Sequence, residues 1–468
     1  MHRQRTLPAI ISADPADHGA HHELIQPMHI TSTATPQVAT GDAALLRAVG
    51  FWALSAAVVN MIVGGGIFAL PAALAKTVGT AAPISYLLGA LTIIPIALCF
   101  AAAGSRVTAT GGPYTYVGAA FGPFAGFVIG VLMWVSNVAS SGGVAAGLTD
   151  QVAHLSPAFA SGVPRTTLLI LIYTALSWLN ARGVRAGSRA ILSLAAIKLT
   201  PLLILVVGGL FFVHTDFIRI DALPSLPALG SSMVLVMFAY SGMETALVPS
   251  AEMTNPSRLV PRATVTAILF VVVLYVGLQI VTQGILGGAL ADSATPLAAT
   301  AGALWPGAAV MLLITATMSM LGFLQGNLLG TSRLVYALAR DGYLPSLLAR
   351  VTAKTRVPIF AIVVHAGISC TLALIGNFAA LVLISGGAIC LTYFATSVAA
   401  WVLQRRGVAE QGKPFVLPGG GLIPVIACAA LALVLVTLTR IEWLAISIAV
   451  AAVVALYGVM SWWRGRRT

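Results

Sequence analysis

Residues 60–71 read NMIVGGGIFALP, so three consecutive glycines, Gly64, Gly65 and Gly66, lie inside a segment that is long and apolar enough to cross a bilayer. Glycine costs about 0.8–1 kcal/mol relative to alanine in a helix interior, so this run predicts a break in the helix. In hydrocarbon, the freed backbone groups must be satisfied by protein or by cargo. Bare amides at a half-helix end suit a carboxylate, and the carbonyls of the other half suit an ammonium or a cation. The alternative is that the glycines serve only close helix packing.

A second interrupted segment favours a binding site. Residues 238–249 read FAYSGMETALVP, which again places a glycine, Gly242, within an apolar segment and a proline after it, now with the carboxylate of Glu244. Two interrupted hydrophobic segments in corresponding positions of two halves are the best sequence indication of a transporter site. The two breaks together predict a site that suits a zwitterion.

The composition assigns the chain to the membrane. Of its 468 residues, 59% are hydrophobic and 8% are charged, whereas soluble proteins carry roughly 25% charged residues. Apolar runs of about 20 residues, about twelve in all, recur along the chain, and each is long enough to span a bilayer as a helix. The sequence therefore predicts an all-α polytopic membrane protein with about 12 transmembrane helices.

The net charge of +12 is explained by topology rather than by nucleic-acid binding. The intervening loops keep only Arg165, Arg219 and Arg440. By the positive-inside rule, both termini of this multi-pass protein face the cytoplasm, and the protein lies in the inner (cytoplasmic) membrane. The basic residues group in alternate loops: Arg182, Arg185 and Arg189; Arg258 and Arg262; Arg340, Arg350, Lys354 and Arg356; Arg405, Arg406 and Lys413; Arg464, Arg466 and Arg467.

The segments outside the spans predict no metal, cofactor or catalytic chemistry. Residues 1–45 are polar and lack the apolar core of a signal peptide, so we expect a disordered cytoplasmic tail whose histidines are solvated. Residues 407–413 fit most of a P-loop, but Pro414 replaces the Ser or Thr that would hold magnesium. The four cysteines lie in apolar spans, which indicates reduced packing residues. No HExxH or GxSxG pattern occurs, so we predict that the protein is not an enzyme.

Two titratable side chains lie deep within the predicted spans. Lys198 is ~13 Å from Arg189 at the inner boundary, at ~1.5 Å per residue, in a hydrocarbon core ~30 Å thick. An intramembrane lysine is a functional hypothesis by default, and the alternative is a structural ammonium tied to backbone carbonyls. Glu244 is the only acidic residue deep within a predicted span. The two could neutralise each other, or a protonatable carboxylate beside a helix break could serve a proton-linked cycle.

Other polar side chains also lie within the predicted spans. Asn137 needs a partner near mid-membrane, so it is either a link between helices or a contact for the cargo. Asn327 should face protein rather than lipid. His365 is isolated in its span, and a hydrogen-bonded interior histidine is the favoured interpretation.

These segments resemble the bacterial amino-acid permeases of the amino acid, polyamine and organocation superfamily, over nearly everything after about residue 45. Residues 64–68 look like the glycine-rich break in helix one of that family, and residues 238–244 look like its broken helix six. Residues 255–263 and 332–345 are similar to its segment after helix six and to its inner helix and loop.

The resemblance implies a leucine-transporter-like fold, with helices one to five and six to ten as a 5+5 inverted repeat and with helices one and six broken. The implied domains are residues 46–215 and 216–405 for the two repeats, and residues 406–468 for helices eleven and twelve and the cytoplasmic C-terminus.

The resemblance also implies roles for individual residues. The cargo carboxylate would meet the amides of the three glycines, and its amino group would meet carbonyls of helices one and six. Lys198 occupies the place where sodium binds in sodium-coupled relatives, and Glu244 matches a glutamate implicated in proton response, so both are assigned to proton coupling. Gly65 departs from the family, which has Ser or Thr there. The implied substrate-binding residues are Ile62, Gly64, Gly65, Gly66, Asn137, Phe238, Ser241 and Asn327.

The sequence thus predicts a secondary active transporter of L-amino acids, with proton-coupled import by alternating access. An amino-acid or amine exchanger is the alternative within this class. A non-transporting receptor or channel is less favoured, because isolated polar residues do not line a pore. The expected partners are an amino acid, protons and membrane lipid, without nucleic acid. The identity of the cargo, the direction and stoichiometry of transport, and a homodimer stay open.

Overall fold

The chain is described by a computed structural model that covers residues 41–220, 223–376, 378–436 and 440–465. Within these ranges the side chains at 154–155, 234, 238, 378–384, 387, 440–442, 445–446, 449 and 459–465 are not described. The predicted tail, residues 1–45, therefore lies outside the described residues as far as residue 40. In the described ranges every regular element is a helix and no strand occurs, which confirms the all-α prediction.

The helices follow one another through short turns, and several begin with a proline. Proline suits the first helical position because its φ is preset and its missing amide proton is not needed there. Pro113, Pro123, Pro256 and Pro296 each open a helix in this way. The helices are α1 (Phe51–Ile62), α2 (Leu70–Val78), α3 (Ala82–Arg106), α4 (Pro113–Phe121), α5 (Pro123–Leu155), α6 (Gly162–Ala181), α7 (Val184–Gly209), α8 (Leu226–Tyr240), α9 (Met243–Ala246), α10 (Pro256–Leu286), α11 (Pro296–Leu304), α12 (Ala308–Arg340), α13 (Ile359–Ile375), α14 (Phe378–Arg405), α15 (Leu422–Val436) and α16 (Arg440–Gly465).

Six segments of the described chain are helical, long and apolar enough to cross a membrane. They are α2 together with α3, and then α5, α6, α7, α10 and α12. The helices α1, α8, α13 and α15 are apolar but shorter. The chain is therefore a multi-pass membrane protein, and the number of about 12 spans stays a prediction.

The first predicted break is present between α1 and α2. The helix α1 ends at Ile62, and Val63 leaves the helical conformation with φ −77° and ψ 72°. A single 3₁₀ turn, Gly66–Phe68, follows before α2 begins at Leu70 with Pro71 in its first turn. The glycine run therefore interrupts the apolar segment where its low helix propensity predicts.

The second break separates α8 from α9 and depends on one glycine. Gly242 has φ 120°, a conformation that side chains with a Cβ rarely adopt. A Cβ at this position would also lie 2.6 Å from the carbonyl oxygen of Met61. The residue must therefore be glycine for two reasons, the backbone conformation and the close approach of the first break.

The two breaks are held together against α12 by a row of glycines that we call the α12 glycine row: Gly322, Gly326 and Gly330. A Cβ at Gly322 would lie 2.5 Å from Asn60 Oδ1, and a Cβ at Gly330 would overlap the carbonyl oxygen of Thr245. Four-residue spacing places the three glycines on one helix face, which lets backbones approach closely. This row positions α1 and α9 on the same face of α12.

Candidate functional site

A small cavity of about 70 Å³ lies between the two helix breaks. Its wall combines backbone at the breaks with side chains from α5, α12 and α14. The apolar part of the wall includes Met320, Phe323 and Ile389. Seven of the ten predicted site residues line it: Ile62, Gly64, Gly65, Gly66, Asn137, Ser241 and Glu244.

The amides of the first break differ from one another. The amide of Gly64 donates to the carbonyl of Ile62 at 2.8 Å, so the tight turn itself uses it. In the described part of the chain, the amides of Gly65 and Gly66 have no acceptor. Both residues line the cavity and precede α2, whose N-terminal end carries a partial positive charge. This arrangement suits an anionic group at Gly65 and Gly66.

The carbonyls of the first break are occupied by side chains of three neighbouring helices. Tyr275 of α10 donates to the Ile62 carbonyl at 3.1 Å and lies 3.3 Å from that of Ala239 on α8. Ser319 of α12 lies 2.9 Å from the carbonyl oxygens of Val63 and Gly64. The carbonyls of Ile62, Val63 and Gly64 are thus paired within the protein, as an apolar environment requires.

Lys198 is the third of these donors. Its Nζ donates to the Asn60 carbonyl at 3.0 Å and to the Val63 carbonyl, and the side chain is fully buried behind α1. It does not line the small cavity. Among the described residues no ion pair joins Lys198 to Glu244, so the two do not neutralise each other by direct contact. The ammonium instead compensates the carbonyl end of the first break.

Glu244 forms a compact cluster at the second break. Its Oε2 accepts from the Gly242 amide at 3.0 Å and from the Tyr393 hydroxyl at 2.5 Å. The Gly242 amide also lies 3.1 Å from that hydroxyl. A carboxylate with two donors at a break is a charge-assisted arrangement that ties the half-helix α9 to α14.

Asn137 and Asn327 contact each other. Asn137 Oδ1 accepts from the Thr245 hydroxyl at 2.7 Å and from Asn327 Nδ2 at 2.9 Å. Asn137 lines the cavity, whereas Asn327 lies behind it and also contacts His365 at 2.9 Å. Asn137 is therefore a link between helices α5, α9 and α12 as well as a cavity residue. Phe238 lies on α8 beside the cavity residue Ala239, but its side chain is outside the described residues.

The family model described as Amino acid permease matches residues 49–462 of this chain. The chain belongs to the amino acid permease family. This confirms the predicted membership of the amino acid, polyamine and organocation superfamily, and the protein is a membrane transporter rather than an enzyme.

Several relatives cover most of this permease. The Serine/threonine exchanger SteT of Bacillus subtilis (strain 168) is 27% identical over 436 residues, which cover 90% of this chain and 98% of the relative. The Methylthioribose transporter of the same organism is 26% identical, over 89% of this chain and 94% of the relative. The Branched-chain amino acid permease BcaP, also of that organism, is 26% identical, over 87% and 90%.

A larger cavity of about 400 Å³ adjoins the small one in this permease. The two share Gly65, Gly66, Ala239 and Met320, and the larger cavity reaches Asp150 at the end of α5. A Cβ at Gly65 would lie 2.8 Å from Met320 Cε. The Met320 side chain thus occupies the space that a side chain at position 65 would need. It lies in the wall of both cavities.

The segment before α1 is linked to its neighbours by an ion pair and by backbone hydrogen bonds. Asp42 Oδ1 pairs with Arg340 at 2.7 Å, and the amide of Val49 donates to the Glu252 carbonyl at 2.9 Å. The Glu252 carboxylate pairs in turn with Arg333 at 3.2 Å, and both side chains are fully buried. These contacts join the segment before α1 to the turn after α9 and to the C-terminal part of α12.

Sequence reasoning missed the side chains that stabilise the breaks. Tyr275, Ser319, Met320 and Tyr393 lie in apolar spans, where their residue types alone do not mark them as partners of the breaks. One signal was available for their location, because the α12 glycine row has regular four-residue spacing in the sequence. That spacing indicates which face of α12 approaches the breaks.

Proposed function

We propose that this permease carries an amino acid across the cytoplasmic membrane by alternating access. The cargo would bind between the two helix breaks. One observation carries the proposal: the amides of Gly65 and Gly66 lack acceptors and face the same cavity as the Glu244 cluster. The cargo carboxylate would bind the two amides, and the amino group would lie toward the carbonyls and carboxylate of α8 and α9. The proposed scaffold is the 5+5 inverted repeat, with residues 46–215 and 216–405 as its halves and cytoplasmic termini.

The proposed cargo has a small side chain. The cavity of about 70 Å³ is far below the roughly 300–1,000 Å³ of sites for drug-sized ligands. Its wall offers Ser136, Ser140 and Asn137 to a polar group, and Met320 and Phe323 limit its length. The names of two relatives, a serine/threonine exchanger and a branched-chain permease, agree with a neutral amino acid.

The proposed coupling ion is the proton, and net import is the proposed direction. A fixed ammonium at Lys198 occupies the carbonyls of the first break and would repel a sodium ion there. Loss of its proton would weaken the link between α7 and α1 and so release the first break. Glu244, as a second titrating group, would act likewise on the link between α9 and α14. Exchange without net proton flux is the second candidate, favoured by the name of the relative SteT.

Uptake into sodium-free proteoliposomes tests both proposals. Radiolabelled L-serine, L-alanine, L-leucine and L-arginine would be offered to the native protein with and without an inward proton gradient. We expect the small neutral amino acids to be taken up fastest, with acceleration by the gradient. Uptake of none of the four would contradict amino-acid transport. Uptake that ignores the gradient and requires internal amino acid would establish exchange.

Substitution of Lys198 tests the coupling group against a matched control. Lys198→Ala removes an ammonium from the Val63 carbonyl, and Ser319→Ala removes a neutral donor from the same atom. Both remove a donor from this buried carbonyl, and Lys198→Ala also removes the donor to the Asn60 carbonyl, at about 1–3 kcal/mol for each unpaired group. We expect only Lys198→Ala to abolish the response to the gradient. If the proton gradient accelerated uptake by both variants to the same extent, Lys198 would be a structural donor and not the coupling group.

A further inference from the structure

Four buried side chains join the cavity to the interior of the helix bundle, and we call them the amide relay: Thr245, Asn137, Asn327 and His365. The Thr245 hydroxyl donates to Asn137 Oδ1 at 2.7 Å, and Asn327 Nδ2 donates to the same oxygen at 2.9 Å. His365 Nε2 lies 2.9 Å from Asn327 Oδ1. The relay therefore reaches from α9 and the cavity wall, across α12, to α13.

The hydrogen bonds fix which way each amide points. Asn137 Nδ2 donates to the Met133 carbonyl at 2.9 Å, so its Oδ1 must face Thr245 and Asn327. Asn327 supplies a hydrogen to that oxygen and therefore turns its own Oδ1 toward His365. An amide oxygen only accepts, so His365 Nε2 must carry the hydrogen. From His365 through Asn327, donation runs toward Asn137 Oδ1, which also accepts from Thr245 on the other side.

The burial of His365 reinforces this tautomer. The side chain is fully buried, and its Nδ1 has no partner among the described residues. A hydrogen on Nδ1 would be buried without an acceptor, whereas a hydrogen on Nε2 has Asn327 Oδ1 as its acceptor. The surroundings of His365 thus select the tautomer that the relay needs.

The hydrogen bonds of the relay determine whether Asn137 can act as a donor or as an acceptor toward a ligand. A side-chain amide has two hydrogens and two acceptor positions. Both acceptor positions of Asn137 are used by Thr245 and Asn327, and one hydrogen is used by Met133. The second Nδ2 hydrogen is what remains, so Asn137 presents a donor to the cavity. If the amide turned over, it would present its oxygen and disfavour a carboxylate or another acceptor there.

We propose that His365 is a positioning residue for the cargo site. It fixes the amide of Asn327, which fixes Asn137 with a donor toward an acceptor group of the cargo. The inference rests on the proposed amino-acid transport. His365 acts only through Asn327 and Asn137 and does not line the cavity.

Kinetic measurement of His365→Leu and His365→Gln in proteoliposomes tests this role. The probe is the amino acid that the native protein takes up fastest among L-serine, L-alanine, L-leucine and L-arginine. Leucine removes the donor to Asn327, and the glutamine amide nitrogen can replace Nε2. We expect KM to rise about tenfold in His365→Leu, with a much smaller change in the maximal rate, because one hydrogen bond to the relay is lost. We expect His365→Gln to restore KM to within about twofold of the native value.

Each outcome supports or overturns the proposal. An unchanged KM in His365→Leu overturns the positioning role, and so does a raised KM that His365→Gln fails to restore. If His365→Leu does not fold, Asn327→Asp replaces it, because aspartate still accepts from His365 but cannot donate to Asn137. A raised KM in that variant supports the relay, and an unchanged KM overturns it. Failure of the native protein to take up any of the four amino acids would instead remove the proposed function on which the relay rests.

Discussion

The two helix breaks of this permease are stabilised in opposite ways. At the first break Lys198 donates to the carbonyl end, and the amides of Gly65 and Gly66 have no acceptor among the described residues. At the second break a carboxylate, Glu244, accepts from the Gly242 amide. The first break is therefore stabilised by side-chain donors on its carbonyls, and the second by a side-chain acceptor on its amide.

This difference indicates which of the two breaks would bind the carboxylate of the proposed cargo. The unoccupied donors lie at the first break, where a cargo carboxylate would complete the hydrogen bonding of the backbone. At the second break the amide of Gly242 is satisfied without cargo, because it donates to Glu244 and Tyr393. Each break also has one titratable side chain bonded to its backbone, Lys198 at the first and Glu244 at the second.

The largest effect is expected when one glycine at each helix break is replaced by alanine, and this pair of substitutions tests whether the two breaks differ. Gly242→Ala forces a Cβ onto φ 120° and places it 2.6 Å from the Met61 carbonyl oxygen. A residue held in such a backbone conformation costs about 1–3 kcal/mol before any overlap is counted. We expect a large loss of folded protein, measured by size-exclusion chromatography and by the melting temperature in detergent.

Gly64→Ala is the matched control at the first break. A Cβ there would lie 3.5 Å from Phe323, which is an ordinary van der Waals contact. We expect the melting temperature to change by the equivalent of less than about 1 kcal/mol. Equal destabilisation by the two substitutions would contradict the view that only the second break requires glycine for its conformation.

A smaller effect is expected from removing the charge at the second break. Glu244→Gln keeps an oxygen that can accept from the Gly242 amide and the Tyr393 hydroxyl, but it cannot release a proton. Since charge-assisted hydrogen bonds are about twice as strong as neutral ones, we expect a loss of about 1–2 kcal/mol in stability. Uptake should persist with a weaker response to an inward proton gradient.

Tyr393→Phe provides the comparison for that experiment. It removes one donor from the cluster and leaves the carboxylate of Glu244 in place. We expect its response to the gradient to stay close to that of the native protein while its melting temperature falls. A gradient response in Glu244→Gln equal to the native response would exclude Glu244 as a coupling group.

The positions of both breaks could be predicted from the sequence because they depend on local physics. Three glycines in a row and a lone glycine followed by Pro249 disfavour a helix whatever surrounds them, and the structure interrupts the helices at both places. The assignment of the chain to the membrane likewise needs only composition. The family followed from the same segments, and the match over residues 49–462 confirms it.

The partners of the breaks could not be predicted in this way. Tyr275, Ser319 and Tyr393 are hundreds of residues or several helices away from the backbone atoms that they contact, and helical periodicity does not say which helix packs on which. The sequence placed Lys198 in the membrane and left two alternatives, a functional and a structural ammonium. The structure gives it backbone carbonyls as partners, and the functional hypothesis stays a prediction.

The smallest expected effect concerns Gly65, where the resemblance described above leads us to expect serine or threonine. A serine at Gly65 would place its Cβ 2.8 Å from Met320 Cε, the flexible end of a side chain. Overpacking of this kind costs about 1–3 kcal/mol, and the flexibility of methionine favours the lower end, so KM should rise about fivefold in Gly65→Ser. In Gly65→Ser/Met320→Ala the space is restored, and we expect KM to return to within about twofold of the Met320→Ala value, so that the two substitutions are not additive. The four proteins would be compared by the concentration dependence of uptake in proteoliposomes. Additive effects would mean that Met320 does not set the room at Gly65, and the first break would then be limited by its backbone alone.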